Sequence, residues 1–272
     1  TPATNCYCQS SIQGTLASGT GITLLGTHPD LGPGGSSSSS CDPNGTLLSG
    51  LVGYWKMDET EGSWDGTAGE AVDSSGVGNH GTSYGGANTV PGKSSEFGNA
   101  GSFNGSSDYV NCGNDASLQI TGTITIQAWI KPMNLVDSSH YGIVRMQENV
   151  GSYLNAYAFT TDWKNNIRFY KALYNDVFNK NVGFENDTWY HVATTHTFST
   201  GETKLFYDGR LVRSEFFSTY VPTYQNNYPL RIADGQWGKF NGLIDDVRIY
   251  NRVLSPEEIS SLYRNDGDGC IP

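Results

Sequence analysis

From Leu51 onward the chain is a succession of short β-prone runs separated by turn residues, and this restricts it to folds built from strands. The clearest run is TITIQAWIKP, where Ile124, Ile126, Ala128 and Ile130 alternate with Thr125, Gln127 and Trp129. Successive side chains on a strand point to opposite faces, so this spacing predicts a half-buried strand. GYWKM, DYVNC, GIVRMQ, NIRFYKA, TWYHVATTHT, KLFYDGRLV and PLRIA are further strand candidates. Within KLFYDGRLV, Asp208 and Gly209 lie between two β-prone runs, which predicts a tight hairpin. With 34 Gly, 16 Tyr and 6 Trp but only 16% charged residues, the composition suits many short strands and few helices. An all-β sandwich often reaches ~250 residues as one unit. The 272 residues therefore fit one antiparallel β-sandwich plus an extension.

The segment GLIDDVRIYNRVLSPEEISSLY, residues 242–263, reads as a strand that restarts as a short helix. Ser255 and Glu258 have capping-box spacing, Pro256 suits the first turn, and Leu254 and Ile259 stand where a hydrophobic staple would. Along the strand Leu243, Asp245, Val247 and Ile249 share one parity, which places a carboxylate on the face expected to be buried. Asp246 stands beside it.

Residues 1–48 differ from the rest: they hold no Lys or Arg, only the acids Asp30 and Asp42, and the serine run 36–40. They read as an arm or linker before a sandwich over 49–265 and a tail at 266–272. In the arm, Ile12, Leu16, Ile22 and Leu24 share one parity, an apolar edge suited to pairing with another copy's sheet. An intramolecular strand or a simple linker are the other readings. The net charge of −11 removes the phosphate attraction that drives nucleic-acid binding and leaves neutral or cationic partners. No apolar run approaches the ~20 residues of a membrane helix. The start at Thr1, without a methionine or leader, is read as a processed, exported and extracellular protein. Cys6, Cys8, Cys41, Cys112 and Cys270 have no metal-binding spacing and are disulfide candidates in such a chain, with one left over.

VGYWKMDE, DSSGVGNHGT, GSFNGSSDYV, ITIQAWIKP, TWYHVATTH, KLFYDGRLV and the closing segment, in that order, resemble the laminin G-like domains of the concanavalin A-like lectin/glucanase superfamily over residues 51–264. The resemblance implies a jelly-roll sandwich of two curved antiparallel sheets, commonly with a structural calcium ion and a ligand surface on loops or the concave face. It also implies that Asp245 helps to hold calcium. Asn104 stands where relatives often carry aspartate, which weakens that ligand.

The residues suggest a calcium site independently. Residues 58–73 carry Asp58, Glu59, Glu61, Asp65, Glu70 and Asp73 with no Lys or Arg, and DSSGVGN is a carbonyl-rich turn of the kind calcium accepts. The expected ligands are Asp58, Asp73, Asp245 and Asp246, against the alternative of a solvated acidic loop. For saccharide stacking, Trp64, Trp163 and Trp237 lie among polar and Gly-rich residues and are the candidates, with Tyr224 and Tyr228 as possible additions. Trp55, Trp129 and Trp189 lie inside strand motifs and read as core. The Glu-x-Asp-x-x-Glu run of the related glucanases is missing, and no HExxH or nucleophile elbow is present, so no catalytic residue is expected. Two functions follow. One is a non-catalytic, calcium-stabilised module for glycan or cell-surface recognition and adhesion. The other is a structural subunit assembled through the arm into a filament or surface layer.

Overall fold

The computed structural model describes residues 46–94, 97–134, 140–148, 154–162, 164–172, 177–217, 219, 228–235 and 238–264. These residues form β1 (Leu51–Trp55), β2 (Thr82–Tyr84), β3 (Asn88–Pro91), β4 (Asn99–Asn104), β5 (Tyr109–Asn111), β6 (Thr123–Pro132), β7 (His140–Glu148), β8 (Leu154–Asp162), β9 (Asn166–Ala172), β10 (Val177–Asn181), β11 (Tyr190–Thr197), β12 (Glu202–Tyr207), β13 (Arg210–Phe216), β14 (Leu230–Ile232), β15 (Asn241–Tyr250) and α1 (Pro256–Arg264). One sheet of eight strands runs β13-β12-β11-β6-β15-β4-β3, with β1 also paired to β15, and the other of seven runs β10-β9-β8-β7-β14-β5-β2. The strand pairs are antiparallel. The chain is an antiparallel β-sandwich.

The main core lies between the sheets. From β6 it takes Ile124, Ile126, Ala128 and Ile130, the alternating set read from the sequence, and from the facing sheet it takes Val144, Phe159, Ile167, Phe169 and Ile232. Asp208 and Gly209 form the β12–β13 hairpin with φ of +45° and +70°, the left-handed pair that a two-residue turn requires. Helix α1 covers the outer face of the eight-stranded sheet, where Leu254, Ile259 and Leu262 close a second cluster on Tyr54, Phe206 and Tyr250. Its capping box is formed: Ser255 N–H donates to Glu258 Oε2 at 2.8 Å, and Glu258 N–H donates to Ser255 Oγ at 3.2 Å. Arg252 joins the two ends of the sandwich. It donates to the carbonyls of Thr46 and Ser49 at 2.6 Å each and pairs with both oxygens of Glu258.

The closing strand corrects the parity expected of it. Asp245 pairs with Trp129 and Arg248 with Gln127, so two residues of β15 stand opposite Ala128 alone. Asp246, at φ +50°, makes this bulge. The extra residue resets the alternation. Ile244, Val247 and Ile249 enter the main core, whereas Leu243 and Asp245 point to the outer face.

Candidate cation site and ligand face

The bulge gathers charge on the outer face of the eight-stranded sheet. Asp246 Oδ1 accepts from Tyr54 Oη at 2.6 Å and lies 3.4 Å from Arg248 Nη2, which also donates to Tyr54 Oη at 2.6 Å. The Arg248 guanidinium lies 4.1 Å from the Tyr54 ring centre. Gln127 Nε2 donates to the Asp246 carbonyl at 2.5 Å, and its Oε1 is 2.8 Å from His191 Nε2. Asp246 is thus spent on a buried network. Burial pulls His191 down to about 3, with Arg248 and Lys93 nearby adding to the effect, so the ring is neutral.

Asp245 is placed differently. It is buried, and among the described residues its side chain accepts one hydrogen bond, from the Asp246 N–H at 2.8 Å. Burial first, then the neighbouring charges of Asp246 and Asp58, raise it well above the usual carboxylate range. Asp58 accepts from the Asn99 N–H at 3.0 Å and is pushed up to about 6, chiefly by burial and also by Asp246 and Glu59. The two carboxylates therefore oppose each other's ionisation, which a divalent cation would relieve. Among the described residues no three His, Cys, Asp or Glu side chains converge on one point. A calcium ion held by Asp58 and Asp245 would need backbone carbonyls and water for its other ligands.

Asp73 leaves this group. Its oxygens accept from the N–H groups of Tyr54, Ser75, Gly78 and Asn79 and from Ser75 Oγ, at 2.8–3.1 Å, so it organises its own turn. Glu70 similarly accepts from the N–H groups of Asp65, Gly66 and Ser83, and Glu59 from that of Val72. Much of the acidic run is therefore turn chemistry. Trp64 also departs from expectation. It is 4% exposed and packs in the main core, which leaves no face for a sugar ring. Cys112 is a buried free thiol beside Gly81, so its expected disulfide is not formed. Trp163, Trp237, Tyr224, the other four cysteines, Ile12, Leu16, Ile22 and Leu24 lie outside the described residues.

The outer face of the seven-stranded sheet carries a second constellation. Arg168 on β9, Arg145 on β7 and Arg231 on β14 each stand between two core residues, in Ile-Arg-Phe, Val-Arg-Met and Leu-Arg-Ile triplets, and so project outward. Asp234, just after β14, is 3.9 Å from Arg145 Nη1, 3.0 Å from Arg231 Nη1 and 2.6 Å from Lys239 Nζ. Burial alone would raise Asp234, but Lys239 and Arg231 outweigh it and hold the group below its usual value. Arg231 and Lys239 also lie 4.8 and 4.3 Å from the Tyr109 ring centre. Tyr84 stacks on Tyr109 at 4.9 Å with the planes 5° apart, and is 44% exposed. Tyr228, one of the expected tyrosines, lines a recess with Arg145, Arg231 and Asp234. The arginines were missed in the sequence, although the apolar-Arg-apolar triplet that places them is visible there.

A laminin G-type family model described as the concanavalin A-like lectin/glucanases superfamily matches residues 104–260, and the chain belongs to this family. A search of the curated proteins finds no match. Several solved structures are similar in fold. The binding domain of botulinum neurotoxin DC, in complex with SialylT, superposes with a TM-score of 0.59 at 15% identity, covering 81% of this chain and 52% of that one. Domain 4 of an extracellular GH43 arabinanase from Geobacillus stearothermophilus, in complex with arabinotriose, gives 0.57 at 20% identity over 78% of this chain and 98% of that one. Trypanosoma rangeli sialidase gives 0.58 at 15% identity over 82% of this chain and 34% of that one. The chain thus spans about half of the toxin domain and a third of the sialidase.

Proposed function

We propose that this protein is an exported, non-catalytic carbohydrate-recognition module that binds saccharide on the outer face of the seven-stranded sheet and is stabilised by calcium at Asp58 and Asp245. The observation that carries the reading is the outward Tyr84–Tyr109 stack beside a row of hydrogen-bond donors, since an exposed aromatic face next to polar groups is what a sugar ring needs. Similar domains solved with SialylT and arabinotriose support it. The described carboxylates of this face favour binding over hydrolysis. Asp162 and Asp234 are both ion-paired, and Asp234 is held below its usual value, the opposite of the raised pKa a glycosidic general acid requires. Trp163 and Trp237 are proposed as further stacking residues. A glycan array tests the reading, with Tyr84→Ala expected to weaken the best ligand about tenfold. Undiminished binding by that variant would remove the platform from this face.

One observation also favours assembly. Strand β13 forms an exposed edge of the eight-stranded sheet, with Phe216 76% exposed, and such an edge accepts an added strand. The proposed donor is residues 1–48 of another copy. Deleting residues 1–45, which keeps Thr46 for Arg252 and Leu47 in the second cluster, should leave a folded monomer by sedimentation, and assembly that persists without them would exclude the arm as connector.

A further inference from the structure

The exposed edge strand β13 has two unlike faces. Among the described residues its one strand neighbour is β12, and the register slips between Leu205 and Phe206, so that Leu205 stands opposite Arg213 and Phe206 opposite Leu211. Leu205 lies in the main core and Phe206 in the outer cluster. Alternation then sets Arg213 and Glu215 on the inner side and Leu211, Ser214 and Phe216 on the outer side. The inner side is polar. Arg213 donates to the Asn179 carbonyl of β10, pairs with Glu215 and borders an open groove of about 600 Å³ together with Asn166, Lys180 and Asn181. The outer side is apolar, with Leu211 45% and Phe216 76% exposed. An edge of this kind, without Lys or Pro to protect it, invites an added strand.

The arm joins the fold close to this edge. Leu47 is buried in the outer cluster with Phe206, which lies on the strand beside β13, and Arg252 holds the Thr46 carbonyl at 2.6 Å. Residues 1–45 precede that anchor and lie outside the described residues. Within 10–24, Ile12, Leu16, Ile22 and Leu24 share one parity, and Ser11, Gln13, Thr15 and Thr23 share the other. As a strand this pattern has an apolar face to continue Leu211 and Phe216 and a polar face to meet the groove. The connecting residues 25–45 can span up to about 70 Å, whereas a sheet of eight strands is at most about 34 Å wide, so the arm reaches its own β13. A tethered strand meets that edge at an effective concentration in the millimolar range, far above that of other copies in dilute solution.

We infer that residues 10–24 cover the β13 edge of their own chain, with Ile12, Leu16, Ile22 and Leu24 on the outer face, and that copies join by exchanging this strand. The inference rests on the reading of the arm as a strand donor and adds whose edge it fills first. The closed monomer and the exchanged assembly then share one contact, as in domain swapping, and assembly is limited by release of the arm from its own edge.

The test uses the full chain at about 1 μM, well below the effective concentration of a tethered arm. A photo-reactive benzoylphenylalanine in place of Ile22, in an equal mixture of heavy-isotope and ordinary chains, is expected to cross-link to residues 210–216 of the same chain. Hydrogen exchange should find residues 210–216 protected, and Ile22→Asp should speed their exchange about tenfold while exchange in the central strand β6 stays unchanged. Cross-links to β13 that join heavy to ordinary chains at this concentration would overturn the inference and leave donation between copies standing. Cross-links that miss β13, with exchange there indifferent to Ile22→Asp, would overturn both.

Discussion

Calcium should raise the melting temperature about 5–10 °C above that of a chelated sample at neutral pH, and the Asp245→Asn variant should show no such difference. An ion bound only by the folded state at a hundredfold excess over its Kd contributes about 2.7 kcal/mol, and a domain of this size gains roughly 2–4 °C per kcal/mol. The effect should depend on pH with a definite sign. Asp58 and Asp245 have folded-state values above their unfolded ones, so without metal the folded state holds more protons and stability falls as pH rises, for Asp58 until about 6. Calcium requires both groups ionised. The stabilisation should therefore grow as pH rises through about 6, where Asp58 ionises, and fade below it as the carboxylates protonate. Superimposable melts with and without chelator at pH 7.5 would exclude the site.

Gly142→Ala should lower stability by about 2–4 kcal/mol, roughly 10 °C in melting temperature, and abolish ligand binding with it. A Cβ at position 142 would lie 2.1 Å from the Asp234 carbonyl oxygen, 2.2 Å from its carbon and 2.4 Å from the Gly235 nitrogen. All three are backbone atoms, so no rotamer change relieves the contact. The segment after β14 rests directly on β7 here, with the Gly142 N–H donating to the Gly238 carbonyl at 3.3 Å and Gly142 bridged to Lys239. That segment carries Asp234 and Lys239, and displacing it takes apart one end of the arginine row. Gly122→Ala is the control, because its Cβ meets nothing within 4 Å. A Gly142→Ala protein that melts with the wild type would mean the segment is less firmly seated than the contacts require.

The fold was legible where local chemistry and tertiary demand agree. Alternation in β6 selected the residues that enter the core, Asp208-Gly209 selected the turn, and Ser255 with Glu258 selected the start of α1. It was illegible where one residue changes the count. Parity along β15 is correct on either side of Asp246, but nothing in Asp-Asp-Val announces that Asp246 will take a left-handed φ and shift Ile244 rather than Leu243 inward. Trp64 misled because polar neighbours along the chain do not determine what packs on a ring from β4 or elsewhere in the core. Net charge was silent on the arginine row for a related reason. A net −11 describes the average surface, whereas Arg145, Arg168 and Arg231 come from three strands that only the sheet order brings side by side. Their triplet is not decisive by itself, since Val-Arg-Ile at 247–249 has the same form and places Arg248 on the opposite sheet.

The Arg252 junction has a mechanical consequence. Strand β1 enters at Leu51 opposite Tyr250, where β15 ends, so tension applied between the two ends of the sandwich would open this pair rung by rung, the weak geometry of unzipping. Before that load reaches the first rung it must pass Arg252, which grips the Thr46 and Ser49 carbonyls on one side and Glu258 of α1 on the other. A single guanidinium thus acts as a clasp at the mouth of the zipper. A module tethered at either end in flowing medium would carry drag on this clasp while its sheets and the arginine face stay unloaded.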